Sequence, residues 1–265
     1  MNWIKSTMEH WNQRRLQKMD NPTLEEHIVA LIKERSDSLP SDEALRFLFR
    51  LDAKLYSIQG QKSVEYGKGV HTKHRHMNYH DFFVKRVKAG ERVLDIGCGI
   101  GAVAYDVAEK SKAQVVGIDM NAENITIARQ RFAHPQVRYI LGDALKDLPG
   151  ENVDVVILSN VLEHLPERPQ FLRRVQQAVH AKRFLIRIPM FERDWRVPLK
   201  KELNVEWRLD PTHEIEYSLE EFESENPMIL PPKRLIAVSK LSLVRVDGSK
   251  NRVATTLSFR IIEFG

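Results

Sequence analysis

The apolar positions of the chain change rhythm near residue 90. Before that point they recur at helical spacing. Ile4, Met8, Trp11 and Met19 fall near one face of a first helix, and Leu24, Ile28, Leu31 and Ile32 mark a second, with Asn21 or Thr23 as its cap around Pro22. A third follows Pro40-Ser41-Asp42, with Leu45, Leu48, Phe49 and Leu51 apolar. From residue 91 short apolar runs alternate with amphipathic stretches. Strands are predicted over 92–96 (RVLDI), 114–118 (QVVGI), 136–141, 153–158 (VDVVIL) and 183–188 (RFLIRI), and helices over 102–110, 122–132 and 170–179. A run as apolar as VDVVIL suits a strand buried on both faces, and repeated strand–helix units predict a parallel sheet covered on each side. The last two runs, 235–246 and 253–264, are β-rich and joined by Asp247-Gly248-Ser249-Lys250-Asn251, a hairpin signal, so the sheet is expected to close on an antiparallel strand.

Composition bounds this picture. Hydrophobic residues make up 42% and charged residues 29% of the 265, a globular mixture that excludes wholesale disorder. The net charge of +5 is concentrated: residues 61–90 hold seven basic residues against Glu65 and Asp81, together with four of the ten histidines. That argues against a protein that coats polyanions and for one local anionic or polar target. The only cysteine, Cys98, excludes a disulfide within the chain and fits a reducing compartment. No apolar run approaches the roughly 18 residues of a membrane span, and the start lacks the apolar centre of a secretory signal. A cytoplasmic setting is expected. The first helix, with Trp3, Ile4, Met8 and Trp11 beside Lys5, Arg14, Arg15 and Lys18, leaves contact with the inner membrane surface open. A cap on the main domain is the simplest role for residues 1–60; a lid or a homodimer surface is the alternative.

The decisive stretch is Asp95-Ile96-Gly97-Cys98-Gly99-Ile100-Gly101 after the first predicted strand. Glycines there let the backbone turn tightly and approach a ligand, and the next helix begins with free N–H groups aimed at it. The spacing also fits a dinucleotide fingerprint through Gly97, Gly99 and Ala102. Asp95, however, would repel a pyrophosphate and suits a ligand with a cationic amino-acid end. Asp119 ends the second strand, where a carboxylate can take ribose hydroxyls. Asp143 follows the third strand, placed to meet an adenine amino group. Cys98 reads as a space-filling residue, since no base is evident beside it.

DIGCGIG, GIDMN, GDA and VDVVILSNVLEHL, in this order over about residues 91–190, resemble the motifs of class I S-adenosylmethionine-dependent methyltransferases. The resemblance implies a Rossmann-like α/β fold with a seven-stranded, mostly parallel sheet and a reversed last strand, here preceded by a helical extension. It implies S-adenosylmethionine as cofactor, with Asp95, Gly97, Gly99 and Gly101 around the methionine part, Asp119 on the ribose, and Met120, Asp143 and Ala144 at the adenine. Ser159 and Asn160 would line the transfer chamber. The chain then divides into a helical extension (1–60), a basic lid or linker (61–90) and the methyltransferase domain (91–265).

The acceptor is less legible. A hydroxyl acceptor must lose its proton, which a histidine can take. The fourth-strand sequence SNVLEHL lacks the Asn-Pro-Pro-Tyr type of amino-methylases and looks like the branch with ubiquinone-type and sugar O-methyltransferases. Glu163 and His164 would face the acceptor or brace the loop. A divalent metal there is the lesser alternative, and no metal ligand is assigned. The segment Asp210-Pro211-Thr212-His213 is similar to one that lies over the acceptor in this branch. His213 and His164 are therefore the first candidates for the base, with an upstream histidine or proximity alone as alternatives. Ser218 and Glu221 read as a capping box. Lys73, His74, Arg75, His76 and Tyr79 are expected to bind the acceptor from the basic segment, which resembles methyltransferases of bacterial surface-polysaccharide biosynthesis. The expected activity is O-methylation of a small molecule or glycan, an anionic sugar first, a quinone precursor or other aromatic hydroxyl second. Nucleic acid is not expected as partner, because the charge is local. A non-catalytic binding module is disfavoured by the intact loop.

Overall fold

A computed structural model of the chain describes residue 16, residues 18–225 and residues 259–264. The helix expected from Ile4 lies largely outside the described residues, as do the hairpin's first arm (235–246) and its turn. The chain divides into two compact units, residues 1–61 with 202–205 and residues 62–201 with 206–265.

In the first unit, α1 spans Asn21–Asp37. Its cap is Asp20, not Asn21 or Thr23: the Thr23 N–H donates to Asp20 Oδ1 at 2.9 Å, and Pro22 sits in the first turn, where its missing N–H costs nothing. The next helix, α2, spans Ser41–Tyr66 and so runs through the boundary expected at residue 60. No Gly-Pro break stands near that point, and Gly60 has open space where a side chain would be.

The second unit is built on a sheet. Its strands are β1 (Arg92–Ile96), β2 (Gln114–Asp119), β3 (Val137–Leu141), β4 (Val155–Ser159), β5 (Arg183–Pro189) and β6 (Phe259–Phe264). They lie in the order β3-β2-β1-β4-β5-β6. The first five are parallel, and β6 pairs antiparallel with β5. Among the described residues there are six strands. The fourth strand starts at Val155, two residues later than expected, because the Val153 N–H is taken by Val179 O at the end of a helix.

Period-2 alternation splits the sheet's side chains between two cores. Leu94, Ile96, Val156, Leu158 and Ile186 face α6 (Arg168–Val179) through Phe171, Leu172, Val175 and Val179. Val93, Val115, Val155, Ile157 and Leu185 face the other side. There α5 (Ala102–Ser111) packs with Val103 and Val107, joined by Phe82 and Phe83 of a short helix, α4 (His80–Val84). Asp95 shares Val93's face. The basic segment before β1 thus folds back over the face on which Asp95 lies. The strand order reverses between β1 and β4, and in open parallel sheets a ligand crevice lies beyond the strand ends at that point.

Candidate active site

A cavity of about 300 Å³ opens there, lined by Asp95, Gly97, Cys98, Gly99, Ala102, Asn124, Ser159 and, from the basic segment, His74 and Tyr79. The glycine loop forms its floor. Gly101 has φ 86°, and a Cβ there would come within 2.6 Å of the Tyr139 hydroxyl, so only glycine fits. A Cβ on Gly99 would meet nothing within 4 Å, which leaves its backbone open to a ligand. The Gly99 N–H donates to Asp119 Oδ2 at 2.8 Å, while Asp119 Oδ1 accepts from the Asn121 N–H at 2.9 Å. Asp95 is 1% exposed, and its Oδ2 has no hydrogen-bond partner. Burial, with Asp119 nearby, pushes its carboxyl up to about 8. A buried, unpaired acid beside open loop backbone is a receptor for a cationic group. The Cys98 thiol is buried and raised by burial, as a space-filling residue would be.

The opposite wall comes from α3 (Lys73–Met77) and the residues after it. The Tyr79 hydroxyl lies 2.7 Å from His74 Nδ1. Behind them Arg187 of β5, 5% exposed, stacks its guanidinium 4.2 Å over the Tyr79 ring and donates to Asn160 Oδ1. Asn160 stands at φ 62°, a left-handed conformation asparagine tolerates, held by its own N–H donating to Arg187 O at 2.8 Å.

Beyond Asn160 a second cluster forms. Glu163, in the 3₁₀ turn Leu162–His164, is fully buried, and neither carboxylate oxygen has a hydrogen-bond partner. Burial pushes it up to about 7, against the opposing pull of His213 and Asn160. The Glu214 N–H donates to Glu163 O at 2.7 Å, which brings the 210–217 loop alongside. His164 and His213 stack edge to face at 4.7 Å. His164 Nδ1 is held by Thr212 Oγ1 at 3.0 Å and His213 Nδ1 by Glu216 Oε1 at 2.9 Å. Glu163, His164 and His213 each offer one ligand atom, all within 4.8 Å of one another, a donor set of the kind a divalent cation takes. The loop is anchored by a buried ion pair between Arg193 and Glu216. Arg193 also donates to Met190 O and Trp207 O at 2.9 Å each. The capping box forms: the Glu221 N–H donates to Ser218 Oγ at 3.1 Å and the Ser218 N–H to Glu221 Oε2 at 2.7 Å, opening α7 (Leu219–Glu225).

Residues 93–182 match the family described as "Methyltransferase domain". Among curated proteins, the phosphoethanolamine N-methyltransferase 1 of Arabidopsis thaliana is 33% identical over 96 residues, 34% of this chain and 20% of that protein. A ubiquinone biosynthesis O-methyltransferase of Azorhizobium caulinodans is 37% identical over 111 residues, 40% of this chain and 43% of that protein. The matches to these relatives thus span less than half of their length. In fold, the chain is similar to the S-adenosylmethionine-dependent methyltransferase SibL, with a TM-score of 0.52, 16% identity and coverage of 75% of this chain and 57% of that one.

The residues foreseen for the cofactor divide. Asp95, Gly97, Gly99 and Ser159 line the cavity. Asp119 ends β2 and already braces the loop. Met120, the next residue, is 77% exposed. Asp143 turns into its own loop, with Oδ1 accepting from the Leu145 N–H at 2.8 Å and Oδ2 paired with Lys146 at 3.2 Å, while Ala144 packs on the core. Of the acceptor candidates, His74 and Tyr79 reach the cavity. Lys73, Arg75 and His76 are exposed and absent from its lining, and Arg75 lies over the Tyr66 ring. His164 and His213, the first candidates for the base, are not among its lining residues either, because Thr212 and Glu216 draw them into the second cluster. Sequence reasoning missed Arg187, His80, Asp106 and Glu216. Arg187 alone left a signal, a charge inside the apolar run RFLIRI. Among the described residues, no helix is long and apolar enough to cross a membrane.

Proposed function

We propose that the chain transfers the methyl group of S-adenosylmethionine to a hydroxyl of a small molecule or glycan. The observation that carries this reading is the composition of one cavity: an unpaired buried acid and open loop backbone on its floor, a histidine and a tyrosine on its wall. Bound there, S-adenosylmethionine supplies an electrophilic methyl on a sulfonium, and transfer to oxygen needs little from the protein except alignment and a place for the acceptor's proton. Asp95 would receive the cofactor's ammonium group, Gly97 and Gly99 would let the cofactor approach the backbone, and Asp119 would take ribose hydroxyls. Ser159 would bound the chamber on the β4 side.

Two features support a polar, anionic acceptor such as a sugar acid or phosphorylated sugar. The wall is furnished by a basic segment, with seven basic residues against two acidic ones over residues 61–90, and the Arg187 guanidinium stacks on its Tyr79 ring. Lys73, Arg75 and His76 are exposed on the same short helix as His74, where they would steer such an acceptor. The likeness to a ubiquinone biosynthesis O-methyltransferase supports a second reading, an aromatic hydroxyl acceptor. A labelled-methyl assay against nucleotide sugars, lipid-linked glycans and quinone precursors tests both. Label in a hydroxyl-bearing sugar fraction is the expected result. Label only in amine-bearing compounds would overturn the hydroxyl reading.

A further inference from the structure

A line of titratable side chains leads from the cavity wall into the protein. Asp106 of α5 lies 2.7 Å from His80 Nδ1, through its Oδ2. His80 Nε2 lies 3.1 Å from His74 Nδ1. His74 lines the cavity. The geometry points to His74 as the general base that takes the acceptor's hydroxyl proton, with His80 and Asp106 as the positioning pair behind it. The assignment rests on the hydroxyl-transfer reading above.

Proton placement follows from the partners. The bonds from His80 and Lys110 hold the Asp106 carboxyl below its usual range although burial opposes them, so this oxygen accepts. His80 must then donate from Nδ1, which leaves its Nε2 lone pair facing His74. His74 donates from Nδ1 in turn and shares that proton with the Tyr79 oxygen, whose own proton burial keeps in place, with a pKa pushed up to about 12. The His74 lone pair is therefore on Nε2, which no described residue takes. A base in a cavity requires this tautomer.

Packing fixes the line. His80 is 5% exposed and meets Tyr79 edge to face at 4.5 Å and His74 at 5.2 Å. Phe82 and Phe83, just after it, are buried with Val103 and Val107 of the helix that bears Asp106. Besides Tyr79, the groups facing His74 are His80, Lys73, His71 and Arg187. Burial first, then these neighbours, hold it down to about 4, so it stands neutral and ready at neutral pH. During transfer the hydroxyl proton goes to His74 Nε2. The freed oxygen pair forms the bond to the methyl carbon, and the pair of the broken S–C bond returns to sulfur. The sulfonium charge disappears as the imidazolium charge appears, so the cavity's total charge is unchanged and the low affinity of His74 for protons is relieved at that moment.

Nitrogen-15 NMR of the histidine side chains tests this on the whole chain, free and saturated with S-adenosylhomocysteine. His74 is expected as the Nδ1–H tautomer at pH 7, titrating well below pH 6, with the tautomer or its midpoint altered in Asp106→Asn. An Nε2–H tautomer, or a His74 signal indifferent to Asp106→Asn, would overturn the assignment without touching the methyltransferase reading. In the labelled-methyl assay, His74→Gln should lower kcat by about 100-fold or more while the calorimetric Kd for S-adenosylmethionine stays put. Undiminished turnover in His74→Gln overturns the base. Absence of S-adenosylmethionine binding by the unsubstituted chain overturns the activity itself.

Discussion

Cofactor binding should release a proton, and the source is Asp95. Its carboxyl is buried, its Oδ2 unpaired, and burial lifts it from 3.8 to about 8. At pH 7 a group of that pKa is about 0.9 protonated, and at pH 9 about 0.1. The ammonium of S-adenosylmethionine beside it would favour the ionised form and drive the proton off. Titration calorimetry in buffers of low and high ionisation enthalpy, such as phosphate and Tris, should therefore report about 0.9 proton released per cofactor at pH 7, falling toward 0.1 at pH 9. Asp95→Asn should show none and bind more weakly. Without cofactor the linkage has a definite sign. Between about pH 4 and 8 the folded chain keeps a proton that the unfolded chain has released, so this group's stabilisation is present at low pH and is lost as pH rises through that window, by at most about 1.4 kcal/mol per pH unit. Asp95→Asn should flatten that slope. Heats at pH 7 that do not depend on the buffer would mean that Asp95 is already ionised, and would refute the reasoning.

Other substitutions probe the frame. Gly101→Ala adds a Cβ within 2.6 Å of the Tyr139 hydroxyl at a φ of 86° and should lower stability by about 1–3 kcal/mol, read from urea midpoints; an unchanged midpoint would show that the loop relaxes freely. Arg193→Met leaves Glu216 buried without its cation and should cost about 3–5 kcal/mol, with His213 losing its fixed orientation; a double change with Glu216→Gln should recover part of the loss. Calorimetric titration with Mn²⁺ should show one site that Glu163→Gln removes. No saturable binding in the unsubstituted chain would mean that Glu163, His164 and His213 serve only one another.

How much of this was legible in the sequence differs by element. The strands from β1 to β5 were readable because each is a short apolar run bounded by turn residues, and DIGCGIG announced the loop because tight turns restrict residue choice. Asp95 was legible as a misfit, an acid inside RVLDI. On its partner wall, His74 and Tyr79 were foreseen from the basic segment, but the line of residues behind them was not. His74 and Asp106 are 32 positions apart in sequence and are linked through His80, beside Phe82 and Phe83, which are buried against α5. His164 and His213, chosen for their loops, were drawn away from the cavity by Thr212 and Glu216, partners that spacing does not reveal. Asp143 had a plausible position after β3, yet its own loop's N–H groups compete for the carboxylate.

One connection has a mechanical consequence. Helix α5 follows directly on its N-cap Gly101, the last glycine of the loop, and carries Asp106 five residues after that cap. The floor that would receive the cofactor and the post that aims His80 at His74 are therefore two ends of one short, stiff rod. A loop displaced by a poorly seated cofactor would tilt the rod and spoil the aim of the imidazoles. Correct seating of the methyl donor and readiness to deprotonate the acceptor would then be sensed together, through a lever little more than one helical turn long.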